Sequence, residues 1–163
     1  MDRVLATWFG VGYLRPASGT IASAVAVLIG YGLHRLGHFP LLLVATALVA
    51  ALGFWAVPKY LHEDPTSDPS EVVIDEVAGQ WIALCFPSFG FWIMGLPASL
   101  FPAPGWIAAF VFFRLFDIWK PWLVGRADRR HDAPGVMLDD LWAGLFAGIA
   151  TMVAAGIAHG FLM

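Results

Sequence analysis

Charged side chains are scarce in this sequence, and their absences are as informative as their positions. Asp, Glu, Lys and Arg make up 13% of 163 residues, about half the usual share in a soluble domain. None occurs from Val77 to Phe113 or from Leu141 to Met163. Uncharged apolar runs of about 18 residues or more mark helices that cross a bilayer. The hydrophobic content of 60% and the mean hydropathy of +0.75 agree with this. Cysteine is nearly missing as well. Cys85 stands alone in an apolar run, which excludes a disulfide framework and a cysteine-based metal site. A cleavable leader is not expected, because apolar Val4–Leu14 ends at Arg15-Pro16 without a small-residue cleavage pattern. The five histidines are scattered and read as non-catalytic, with His131 in the Arg-rich loop the open case.

What is present predicts an all-α fold: a single-domain, polytopic membrane helix bundle covering 1–163. Five spans are expected, at Gly19–Leu36, Pro40–Tyr60, Val72–Pro87, Trp106–Trp122 and Leu138–Phe161. Val4–Leu14 is too short to cross and reads as interfacial. Ser88–Gly105 carries Pro97, Pro102 and Pro104 and reads as an interfacial or re-entrant excursion. With the N-terminus inside, Arg3, Arg15, Lys59, Lys120, Arg126, Arg129 and Arg130 fall on the cytoplasmic side, and Arg35 alone falls outside. That asymmetry is the positive-inside pattern. Gly144 and Gly148 form a G-x-x-x-G, and Gly19, Ala22, Ser23 and Ala26 make a small-residue face; both suit close helix packing.

The polar residues of four spans collect at the same membrane face. Ser18, Gly19 and Thr20 open the first, and Asp75 and Glu76 lie near the start of the third. Arg114, Asp117 and Lys120 lie near the end of the fourth, and Asp139 and Asp140 open the fifth. Ionisable groups inside spans are costly and face the bundle interior or water. Arg114, Asp117 and Lys120 are spaced i, i+3, i+6, so neighbours share a helix face. Clustered carboxylates repel unless a cation sits among them, and hard oxygen donors suit Mg²⁺. Each group alone has a plainer reading. Asp75-Glu76 and Asp139-Asp140 also suit helix starts, Ser18 and Thr20 a cap, and Arg114-Asp117-Lys120 a structural ion-pair cluster. Asp128 and Asp132 read as solvated loop acids.

Taken in order, Pro16-x-Ser18-Gly19-Thr20, Asp75-Glu76-x-x-Gly79, Arg114-x-x-Asp117-x-x-Lys120-Pro121 and Asp139-Asp140-x-x-Ala143-Gly144 resemble the phosphatidylglycerophosphatase A family. The resemblance extends over nearly the whole chain, from about Leu5 to Ala158. It implies Mg²⁺-dependent removal of the terminal phosphate of phosphatidylglycerophosphate, in a bacterial inner membrane and with the active site facing the cytoplasm. It points to Asp75, Glu76, Asp117, Asp139 and Asp140 as the acidic site, with Lys120 nearby. Within that reading, Asp75, Glu76, Asp139 and Asp140 are the expected metal ligands. Ser18, Gly19, Thr20, Arg114 and Lys120 are the expected substrate-binding residues. The expected partners are a phospholipid substrate and membrane lipids, with no nucleic acid; a homodimer is conceivable.

A rival reading from another class is a cation-coupled transporter whose intramembrane carboxylates bind the carried ion. Carboxylates gathered at one face, and the lack of a visible inverted repeat, favour the enzyme. A cysteine-based phosphatase is excluded, because Cys85 has no phosphate loop and Arg after it.

Overall fold

A computed structural model describes residues 1–63, 69–130 and 132–162, with the side chains of Glu63, Pro69, Phe161 and Leu162 excepted. His131 lies outside the described residues. Among them the fold is all-helical, without a strand. The helices are α1 (Asp2–Ala6), α2 (Ser18–Glu63), α3 (Ile74–Ile93), α4 (Ala103–Trp119), α5 (Leu123–Asp128) and α6 (Ala133–Leu162).

The first two expected spans are the two limbs of α2, divided between Leu36 and Pro40 as expected. Within α2, Gly37 (φ −148°) and His38 (φ 58°, ψ −158°) leave helical geometry. Pro40 then restarts the helix, at a position where its missing N–H costs little. The two limbs double back on each other, and α3, α4 and α6 pack around them. The first limb of α2, α3 and α6 start at one end of the bundle, while the second limb and α4 arrive there.

The third helix runs past the expected Val72–Pro87. It continues through Pro87 to Ile93, because a buried bundle tolerates one lost i→i−4 bond better than a free helix does. Residues 88–105 are therefore not one separate segment. Residues 88–93 complete α3, a short turn over residues 94–102 holds Pro97 and Pro102, and Pro104 sits in the first turn of α4. That turn returns the chain directly, so no extra crossing separates Glu76 from Arg114.

Among the described residues, two helices are long and apolar enough to cross a membrane: α2, over Ser18–His62, and α6, over Ala133–Gly160. The 17-residue α4 is shorter, and α3 carries Asp75, Glu76 and Gln80. The N-terminal segment is short. It consists of α1 and one 3₁₀ turn at Val11–Tyr13, tied to the start of α3 by a bond from Val73 N–H to Ala6 O (2.9 Å).

Glycines set the closest approaches. A Cβ on Gly79 would overlap the backbone carbonyl of Asp140, and one on Gly144 would overlap the backbone of Gly79. Gly148 lies equally close against Phe86. The contact between α3 and α6 is therefore backbone against backbone, the geometry that small residues permit. It presses the Asp75-Glu76 turn against the Asp139-Asp140 turn.

Candidate active site

The four polar groups meet at the bundle end where three helices begin. Members of three of these groups line a cavity of about 390 Å³, Asp75, Glu76, Asp117, Lys120, Asp139 and Asp140 being joined by Asp128, Asp132, Leu61, Ser70, Val72 and Val136.

Asp75, Glu76 and Asp140 form its floor. One oxygen from each carboxylate lies within 4.8 Å of the others. Asp75 and Asp140 are buried, and Glu76 Oε2 is buried with no hydrogen-bond partner. Each acidic pair is braced locally: Asp75 Oδ1 accepts from Glu76 N–H and Asp139 Oδ1 from Asp140 N–H, both at 3.0 Å. Three crowded, desolvated carboxylates repel strongly unless a cation joins them. Their hard oxygens, and the orphaned Glu76 Oε2, fit a divalent metal.

Asp139 and Asp140 do not open their helix. That helix starts at Ala133, well over a turn earlier, beyond the reach of the dipole effect that favours acids in the first turn. The helix-start reading of this pair therefore fails. Asp75 and Glu76 do occupy a first turn.

Lys120 faces the metal-type cluster from the end of α4. It ends that helix in the left-handed region (φ 50°, ψ 52°), and Trp122 follows at φ 51°. Such backbone is costly for non-glycine residues and persists where surrounding structure imposes it. Lys120 Nζ contacts Asp139 Oδ2 (3.1 Å) and also Asp128. Two carboxylates thus hold the Lys120 ammonium.

Arg114 stands behind the cavity, not in its lining. Its Nη1 pairs with Asp117 Oδ2 (2.6 Å) and donates to Ser23 Oγ (3.4 Å). Gly19 lies where any Cβ would collide with the Glu76 carboxylate, so its role in this geometry is to leave that carboxylate room. Ser18 Oγ donates to the carbonyl of Ser70 (2.9 Å), a cavity residue. Thr20 is exposed and does not line the cavity. Of the five expected substrate-binding residues, the structure thus brings Lys120 into the lining and leaves Ser18, Gly19, Thr20 and Arg114 outside it. Asp139 reaches Lys120 and stands outside the three-carboxylate group.

Sequence reasoning passed over Asp128 and Asp132 as solvated acids, yet both line the cavity. Asp132 caps α6 by accepting from Gly135 N–H (2.7 Å) and pairs with Arg130, whose hydrogen bonds hold its carboxyl below the usual range. The available signal was distance along the chain: only 18 residues separate Lys120 from Asp139, so anything between them stays near the site.

Comparison with known proteins shows the family. The family model described as Phosphatidylglycerophosphatase A matches residues 4–155. The chain belongs to the phosphatidylglycerophosphatase A family. Relatives named Phosphatidylglycerophosphatase A from Haemophilus influenzae and Escherichia coli are each 33% identical over 90% of this chain, covering 83% and 79% of their own lengths. A Bacteroides thetaiotaomicron protein, provisionally named a phosphatidylinositol-3-phosphatase, is 36% identical over 93% of this chain and 91% of its own. No solved structure matches. The family is one of phosphatases, and this chain is a phosphatase within it.

Proposed function

We propose that the protein removes the terminal phosphate of phosphatidylglycerophosphate, yielding phosphatidylglycerol, with Mg²⁺ held by Asp75, Glu76 and Asp140. The observation that carries this reading is the set of three carboxylates from two helices, within 4.8 Å of one another, in a cavity that also presents Lys120. When bound, the cation offsets negative charge on phosphate oxygens and acidifies a water, the two hardest demands of monoester hydrolysis.

The chain's own groups do the rest. Lys120 offers a fixed positive charge to the phosphate. Asp139 orients that ammonium, and Asp117 anchors Arg114 behind Glu76. In this reading the protein is a multi-pass component of the bacterial inner membrane, with both limbs of α2, α3, α4 and α6 crossing and the cavity opening to the cytoplasm. The basic residues support that orientation: Arg3, Arg15, Lys59, Lys120, Arg126, Arg129 and Arg130 belong to segments at the cavity end, and Arg35 to the opposite end. A phospholipid head group lies at the same depth. A cavity at the helix ends speaks for hydrolysis over ion-coupled transport, whose sites lie near the midplane.

The test is phosphate release from phosphatidylglycerophosphate by the detergent-purified protein, with Mg²⁺ or with chelator, beside Asp139→Asn. Metal-dependent release that the substitution abolishes is expected. Release that survives the chelator would remove the metal from the reading, and release like wild type in the variant would remove Asp139.

A further inference from the structure

We propose that Asp128 is a positioning residue: with Asp139 it grips the Lys120 ammonium from two different helices and leaves the third N–H donor for the substrate phosphate. The inference rests on the phosphatase reading and adds a residue that belongs to none of the four sequence groups.

The backbone around Lys120 brings Asp128 into place. Lys120 and Trp122, both at positive φ, turn the chain sharply around Pro121. The short α5 then folds back onto Lys120 itself. A Cβ on Gly125 would come within 2.5 Å of the Lys120 carbonyl oxygen, so α5 lies directly against that peptide. Asp128 is three residues further on and shares the face of Gly125. That face therefore carries the carboxylate to the ammonium.

The two carboxylates differ in setting. The Asp139 side chain is 12% exposed and that of Asp128 is 42% exposed, with Lys120 between them at 34%. Asp139 holds Lys120 from the floor and Asp128 holds it from the rim. An ammonium has three donors and a flexible four-carbon stem. Two charged acceptors from separate helices use two of those donors and remove most of the stem's freedom, and the third is left facing a cavity of about 390 Å³. A lysine fixed in this way meets a phosphate without first paying the cost of ordering itself. The same arrangement accounts for strained backbone at Lys120, since strain persists where neighbours over-determine it.

The experiment compares wild type, Asp128→Asn and Asp128→Glu, with two readouts. In phosphate release at saturating Mg²⁺, Asp128→Asn should lower kcat about tenfold to a hundredfold while KM changes little. Asp128→Glu should recover much of the loss, and the Mg²⁺ concentration for half activity should stay as in wild type. A kcat within twofold of wild type overturns the proposal. So does a loss that excess Mg²⁺ repairs, which would make Asp128 a metal ligand.

The second readout does not need turnover. Lys59 and Lys120 are the only lysines in the sequence, and Lys59 Nζ sits 4.0 Å from the centre of the Trp55 ring, on another element. Labelling with an amine-acylating reagent, read by mass spectrometry, gives Lys120 relative to Lys59 within one sample. Release of one carboxylate should raise that ratio severalfold in Asp128→Asn, and Asp128→Glu should return it toward wild type. An unchanged ratio overturns the grip whatever the substrate is. If wild type releases no phosphate but the ratio moves as expected, the substrate reading fails and the grip stands.

Discussion

The two ends of this bundle treat polar groups in opposite ways. At the far end, His34 Nδ1 meets Ser88 Oγ at 2.8 Å, and His38 Nε2 meets the Leu96 carbonyl at 3.0 Å. Phe101 stacks on His34 at 4.2 Å and lies parallel to Tyr31 at 6.2 Å. These groups pair with an uncharged hydroxyl and an uncharged carbonyl inside an aromatic cluster, with His34 Nε2 left open. A neutral atom left open there costs about 1–3 kcal/mol, which a folded domain can carry. At the cavity end, Asp75, Glu76 and Asp140 crowd together, and Lys120 is already shared by two other carboxylates. Buried charges of one sign cost several kcal/mol each without a partner. The far end is complete in itself. On the proposed reading, the cavity end is completed by a cation held among its carboxylates.

The largest effect expected from that contrast is at Asp140. Asp140→Asn should lower phosphate release about a thousandfold or more, because a metal contributes several kcal/mol of transition-state stabilisation and each 1.36 kcal/mol is tenfold in rate. The same change removes one of three repelling charges, so in chelator the variant should unfold at a higher temperature than wild type. Activity and stability move in opposite directions, as they should where a site stores unfavourable electrostatics for function. A variant that loses both would make Asp140 a structural acid like any other and erase the contrast between the ends.

Gly144→Val should follow. The new side chain meets the backbone of Gly79 and must push α6 away from α3. Overpacking of this kind costs about 1–3 kcal/mol. A displacement of about 1 Å between Asp140 and the Asp75-Glu76 turn should cost about a hundredfold in rate. The informative control is Gly156→Val, on the same helix, where a Cβ meets no neighbour within 4 Å. Equal effects at both positions would show that α6 tolerates neither change for reasons unrelated to the cavity.

Much of this arrangement was legible in the sequence, for reasons that differ by residue. The long uncharged runs gave the helices, because bilayer-length apolar stretches have few other uses. The convergence of Asp75, Glu76, Asp117, Lys120, Asp139 and Asp140 could be read because each lies within two turns or so of a helix end, where one-dimensional position translates into depth. Helix boundaries were less legible. Pro87 left the end of the third span open, and the helix runs past it because buried surroundings absorb a missing bond. The break at Gly37-His38, by contrast, falls in the gap expected between Leu36 and Pro40. Gly19 looked like an anion-binding loop residue, yet its neighbour is the Glu76 carboxylate, a tertiary contact that spacing does not encode. Asp128 was invisible for a related reason: its importance depends on the backbone reversal at Lys120, and positive φ at a lysine has no sequence signal.

The smallest expected effect is at the opposite end and checks the contrast from that side. His34→Leu removes the 2.8 Å contact and leaves the Ser88 hydroxyl buried without its side-chain partner. A serine on a helix can turn its hydroxyl to the carbonyl one turn back, which recovers part of the loss. Leucine also removes the open His34 Nε2. Destabilisation should therefore stay near 1 kcal/mol, with phosphate release within twofold of wild type. Thermal unfolding and phosphate release measured on the same preparation decide it. A large fall in rate with little change in stability would mean that the aromatic end sets the geometry of the carboxylates through the first limb of α2, which begins at Ser18 beside Glu76 and carries His34 near its other end. The two ends would then be one mechanical unit, and the division of labour between them would have to be given up.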